Sequence, residues 1–226
     1  MAPFFIGKSL IIKKSNIIIQ NMKKSFLFIF LVILTISCGG SSNTNDTEDD
    51  NDTPSPNAGL TISMTTPYAS TNDVDRVNGN YSETGDNSHD GIDFIPAENQ
   101  MTYQAVCSGT IDSVTLSEND HTGNWQVGVN LAFNDTYTVE YKFEPMTASS
   151  SDATTQQGYI QVAEGDTVEA GDVIGYLLQK GEYSHVHFGL RKNNETVCPE
   201  SYFDSAAQTS LTALIQEAND SWGICN

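Results

Sequence analysis

The sequence predicts a mainly β fold, an antiparallel sheet or sandwich of short strands with one short C-terminal helix, and three observations predict it. From Tyr103 onward, apolar runs of four to nine residues recur between turn residues: YQAVC, TIDSVTL, WQVGVNLAF, TYTVEYKF, YIQV, VIGYLL and HVHFGL. In the third run Val127, Val129, Leu131 and Phe133 alternate with Gly128, Asn130 and Ala132, the period of a strand with one buried face. Helical spacing appears near the chain end, at Ala207, Leu211, Leu214, Ile215 and Ala218.

The first quarter of the chain has no such pattern. Lys23 and Lys24 precede an apolar run from Phe26 to Ile36, followed by Ser37, Cys38, Gly39 and Gly40, the order of an export signal. The run is too short for a spanning helix of about 20 residues. A cysteine stands at the cleavage point, and Thr35, Ile36 and Ser37 before it resemble a bacterial lipobox whose leucine, Leu34, lies one place early. Residues 22–37 are therefore expected to be a lipoprotein signal peptide, Cys38 the lipidated residue and the membrane a partner through that anchor. Met22 suits a start better than Met1, which makes residues 1–21 an upstream extension. Residues 38–58 are polar, acidic and unable to offset the entropy of ordering, so they read as a tether. That leaves residues 59–226, roughly 165 residues, for a single domain.

The formal charge is −19, and losing the five lysines before Cys38 would take it to −24. Nucleic acid is thereby excluded as a partner, because phosphate binding needs the opposite sign. Export places Cys107, Cys198 and Cys225 in an oxidising compartment. Cys198 and Cys225 flank the C-terminal helix and are expected to pair, whereas Cys107 sits mid-strand as a small buried hydrophobe.

Within the domain, Asn134-Asp135 supplies a two-residue turn joining WQVGVNLAF to the next strand. Residues 144–157 (EPMTASSSDATTQQ) are polar and read as a flexible loop over one end of the sheet. Asp204 or Ser205 caps a helix over about 204–221.

Four histidines occur in the chain, and three fall in two compact motifs, His89 with Asp93 in SHDGIDF and His185 with His187 in YSHVHF. The fourth, His121 in SENDHTGNW, lies in a polar loop and reads as an ordinary exposed residue. Zinc takes imidazole nitrogen and carboxylate oxygen at about 2.0 to 2.2 Å, and catalytic sites keep three protein ligands and an open position. His89, Asp93 and one later histidine meet that count. Residues four apart on a straight strand lie roughly 13 Å apart at about 3.3 Å each, so Gly91 must let the chain bend. His185 and His187, two apart, project from one strand face, so one can ligate while the other handles protons.

H-x-G-x-D followed about 90 residues later by H-x-H-F resembles the lysostaphin/LytM-type zinc endopeptidases of peptidoglycan. GIDFIPAENQMTYQAVCSGTI, Gly123-Asn124 and VAEGDTVEAGDVIGYL, with turn glycines Gly165 and Gly171, extend the resemblance over about Ser63 to Tyr202. It implies the LytM-like duplicated hybrid motif fold, a Zn2+ cofactor held by His89, Asp93 and His187, a proton-handling His185, and peptidoglycan or wall peptides as partner. One position departs. The family usually carries a second catalytic histidine in T-L-Y-x-H-L, and the ungapped match here is T-V-E-Y-K-F, residues 138–143, which puts Lys142 in its place. A one-residue slip would put Phe143 there instead and exchange the strand's faces. Lys142 could stabilise an oxyanion but is a poor substitute for a base.

Two functional readings remain open, a zinc-dependent cell-wall endopeptidase and a metal-binding, non-cleaving lipoprotein that grips wall peptides. A lipoyl- or biotinyl-type carrier is suggested by GDTVEAGDVIG alone and lacks a lysine at the turn, since Lys180 lies beyond the next strand.

Overall fold

The computed structural model describes residues 57–79, 81–82, 89–120 and 122–225. The upstream extension, signal peptide, Cys38, nearly all of the tether and His121 lie outside them.

Among the described residues, ten strands and two α-helices follow in order: β1 Val74–Asn78, β2 Ile92–Pro96, β3 Thr102–Gln104, β4 Gly109–Glu118, β5 Trp125–Ala132, β6 Tyr137–Glu144, α1 Ser150–Gln157, β7 Thr167–Val168, β8 Val173–Tyr176, β9 His185–Lys192, β10 Glu195–Val197 and α2 Ser205–Ala218. One sheet runs β1-β2-β9-β6-β5-β4-β7, with β10 also paired to β9, and β3 and β8 form a second, two-stranded sheet. Every one of these strand pairs is antiparallel.

Period-two alternation gives the large sheet two unlike faces. Val127, Val129, Leu131, Val139, Tyr141, Phe143, Val186, Phe188 and Leu190 are fully buried on one of them. The small sheet packs on that face, with the Tyr103 and Phe143 rings 5.6 Å apart, edge to face. The buried tyrosine hydroxyls are satisfied in the same layer. Tyr103 Oη donates to the Phe94 carbonyl at 2.9 Å, and Tyr141 Oη accepts from the Val106 amide at 2.9 Å. Helix α2 adds Ala207, Leu211 and Ile215 to this core, and Asp204 caps it by accepting from the Ala207 amide at 2.7 Å.

Three local features differ from the sequence expectation. The β5–β6 connection spans residues 133–136, not two, because Asn134 Oδ1 accepts from the Thr136 and Tyr137 amides and stabilises a wider turn. YIQV contributes only the bridge Ile160–Gly175. The expected loop 144–157 contains α1. Its Ser149 cap accepts from the Asp152 amide, and the buried Gln156 donates to the Tyr176 carbonyl at 2.9 Å and accepts from the Leu178 amide at 2.7 Å. These tertiary bonds hold a helix that has almost no apolar face of its own. Cys198 and Cys225 form a disulfide, while Cys107 is free and buried, its thiol pushed up to about 12 by burial.

Candidate metal centre

Strand register assembles most of the site. Asp93 on β2 lies directly opposite His187 on β9, which lies directly opposite Lys142 on β6. Residues directly opposed across an antiparallel pair share a face, so Asp93, His187 and Lys142 form one row on the face away from the core. His185 and Glu144 are opposed in the neighbouring row. Phe143 is 0 % exposed in the core, so Lys142 and not Phe143 is presented on the side of the histidines.

His89 reaches the row from outside β2. It is held by a backbone bridge to Ser82, with amide-to-carbonyl distances of 2.9 and 3.2 Å, and the chain bends at Gly91 before β2 begins. Gly91 also permits a close approach. A Cβ there would overlap the Phe188 carbonyl oxygen and lie 2.5 Å from His187 Nε2.

Asp93 Oδ1 is the hub. It lies 3.1 Å from His89 Nε2, 2.9 Å from His187 Nδ1 and 3.6 Å from His185 Nε2. The donor atoms of His89, Asp93 and His187 all fall within 4.8 Å of one another. A tetrahedral zinc with bonds near 2.1 Å separates its ligand atoms by roughly 3.4 Å, and the two contacts of Asp93 Oδ1 with His89 and His187 lie within about half an ångström of that spacing. Two imidazole nitrogens and one carboxylate oxygen are also the donor types zinc takes. The second such grouping among the described residues, Cys198, Glu200 and Cys225, has both its thiols in the disulfide.

Electrostatics match this donor set. Burial disfavours the Asp93 carboxylate, but hydrogen bonds with His187 and His89 outweigh it and hold the group well below the usual carboxylate range. Burial likewise disfavours a charged His187, yet its bonds to Asp90 and Asp93 raise it to about 9. Asp90 Oδ1 lies 3.2 Å from His187 Nε2, so it orients the ring from behind, as a carboxylate behind a ligating histidine does. The hydrogen bond from His187, the largest influence on Asp90, keeps that carboxyl well below its ordinary range.

His185 Nδ1 lies 2.8 Å from the Tyr183 carbonyl, which can only accept. The proton on Nδ1 is therefore donated to that carbonyl, and Nε2 faces Asp93.

The structure thus brings together His89, Asp93, His185, His187 and Lys142, all singled out in the sequence. It adds three groups that sequence reasoning missed. Asp90 could have been noticed as the acidic neighbour inside SHDGIDF. Glu144 carried no sequence signal, because its role depends on register, and Tyr183, which opens YSHVHF, acts through a backbone carbonyl whose direction depends on loop path.

The model of peptidase family M23 matches residues 87–199, half of the chain, and takes in both histidine motifs. Among solved structures, Helicobacter pylori Csd3 is 20 % identical with a TM-score of 0.44, covering 71 % of this chain and 40 % of its own. A zinc-containing peptidase from Vibrio cholerae is 17 % identical with a TM-score of 0.37, covering 59 % of this chain and 38 % of its own. The catalytic domain of lysostaphin from Staphylococcus simulans is 19 % identical with a TM-score of 0.36, covering 56 % of this chain and 87 % of its own. The chain thus spans about two fifths of the length of the first two. No curated protein is matched by the sequence. With a family model laid over the strands that carry the Asp93–His187–Lys142 row, the chain belongs to peptidase family M23.

Proposed function

We propose that the protein is a zinc-dependent endopeptidase of peptide cross-links in the cell wall, held in the envelope by lipid on Cys38. The observation that carries this reading is the convergence of one donor atom each from His89, Asp93 and His187 within 4.8 Å, with His185 Nε2 turned to the same point. Zinc in that position would supply Lewis acidity toward a peptide carbonyl and a water.

The remaining roles belong to the chain. His185, whose Nε2 faces the same point, is the proton-handling side chain and can pass a proton to the departing amine. Lys142, beside His187 on the open face, places an ammonium where negative charge grows on the carbonyl oxygen. Donors of this kind are worth roughly 3 to 4 kcal/mol in turnover. Asp90 fixes the His187 ring.

The test uses the full chain with added zinc on purified peptidoglycan, beside Asp93→Ala. Soluble fragments with new amino ends should appear with the parent protein and not with the variant. The lysine in place of the family's histidine favours a second reading, a metal-holding module that grips wall peptides without cutting them. Stoichiometric zinc and retention on peptidoglycan without fragment release would establish that reading and overturn the first.

A further inference from the structure

We infer that Glu144 is the proton acceptor that replaces the histidine missing at position 142, working with His185 across the β6–β9 pair. The inference rests on the endopeptidase reading above. It starts from the carboxylates that β6 presents on the site face. Glu140, two residues before Lys142, is accounted for structurally, since Arg191 Nε donates to its Oε1 at 2.8 Å. Glu144, two residues after Lys142, has no such partner. Its side chain is only 13 % exposed, and its one ion-pair partner among the described residues is His185, with Oε1 3.9 Å from Nε2.

A carboxylate kept mostly from water without a fixed cation is costly for a fold, and such groups concentrate where chemistry needs them. Register accounts for the placement. Glu144 is directly opposite His185, and Lys142, one strand repeat of about 6.6 Å away on the same face, is directly opposite His187. Gly128, opposite Lys142 on β5, puts no side chain over this part of the face. A substrate lying along it would have the Lys142 ammonium at one row and the Glu144 carboxylate at the next.

The division of labour then balances. As the water oxygen bonds to the peptide carbonyl carbon, its O–H bond breaks and the proton passes to a Glu144 carboxylate oxygen. As the C–N bond breaks, that proton and electron pair end on the departing amine, with His185 Nε2 within reach to relay the proton. Lys142 keeps its charge throughout.

The experiment compares the full-length parent chain, Glu144→Gln, Glu144→Asp and Lys142→His/Glu144→Gln for zinc stoichiometry and affinity, retention on peptidoglycan, and fragment release. The amide is isosteric, so zinc affinity and retention should stay within about threefold of the parent, while release falls roughly 100-fold or more. Glu144→Asp, a shorter carboxylate, should release more than Glu144→Gln, and a histidine at 142 should restore at least tenfold to the amide variant. Glu144→Gln releasing fragments at the parent rate overturns this inference and leaves the endopeptidase reading standing. Loss of zinc with the amide also overturns it, because Glu144 would then belong to the metal's support. A zinc-loaded parent that releases nothing overturns both readings together.

Discussion

An alanine at position 91 would place its Cβ on the Phe188 carbonyl oxygen and against the His187 ring, contacts relieved only by moving β2 away from β9 or turning the ring. Gly91→Ala should therefore cost about 1 to 3 kcal/mol of stability and weaken zinc binding at least tenfold, as read by denaturant titration and metal competition. Sequence reasoning assigned Gly91 to a bend, and it is there. The close approach to His187, 96 positions away, depends on strand pairing and is invisible locally. Protonation at His187 gives a second consequence. In the metal-free protein its pKa is raised to about 9 from the ordinary 6.5, so its contribution to stability is complete below about pH 6.5 and lost as pH rises through about 9. Asp93 is depressed and works in the other direction, contributing above about pH 4 and losing that contribution as pH falls. The chelator-treated chain should unfold at lower denaturant at pH 9 than at pH 6. Zinc competes with the His187 proton, so its affinity should climb by up to tenfold per pH unit until about pH 9. A flat affinity profile from pH 6 to 9 would contradict the raised His187.

At the scale of elements, the legible parts were those whose side chains repeat with the backbone. Strands β5 and β6 alternate cleanly, and α2 carries its apolar stripe and Asp204 cap in the sequence. That alternation also decides between Lys142 and Phe143, once Val139, Tyr141 and Phe143 are all in the core. Helix α1 was not legible, because SSDATTQQ has no apolar stripe and is stabilised from outside. Its Gln156 amide satisfies the carbonyl of Tyr176, the last residue of β8, and the amide of Leu178 just beyond it. Gln156→Ala should leave a buried carbonyl and a buried amide unpaired, costing roughly 2 to 4 kcal/mol. Loss of that energy in equilibrium unfolding, with zinc stoichiometry unchanged, is the expected result. The edge strands β1, β7 and β10 escaped for a related reason: at two to five residues each, they are defined by the neighbour they pair with. The β9–β10 hairpin shows what a local signal could have given. Asn193 and Asn194 take φ of 52° and 65°, the left-handed pair a tight two-residue turn requires, and asparagine tolerates it.

For the whole molecule, the zinc-ligand set was readable because three scarce residue types sit in two short motifs, whereas the supporting groups come from all over the chain. The row across β2, β9 and β6 joins residues up to 94 positions apart, and only the closed sheet defines it. The disulfide adds a covalent constraint across 27 positions, and chain entropy puts its contribution at about 3 to 4 kcal/mol. Cys198→Ser/Cys225→Ser should lower equilibrium stability by that amount, and a variant as stable as the parent would show that packing already fixes the chain end.

The last covalent link of the chain has mechanical neighbours. Cys225 is bridged to Tyr81, Tyr81 is followed by Ser82, and Ser82 is bridged to His89. Two backbone bridges and one peptide step thus join the C-terminal knot to His89, a proposed metal ligand. On the proposed metal reading, severing the sulfur bond should slacken His89 first and leave Asp93 and His187 braced on their strands, so a reduced chain should hold zinc less tightly than an oxidised one.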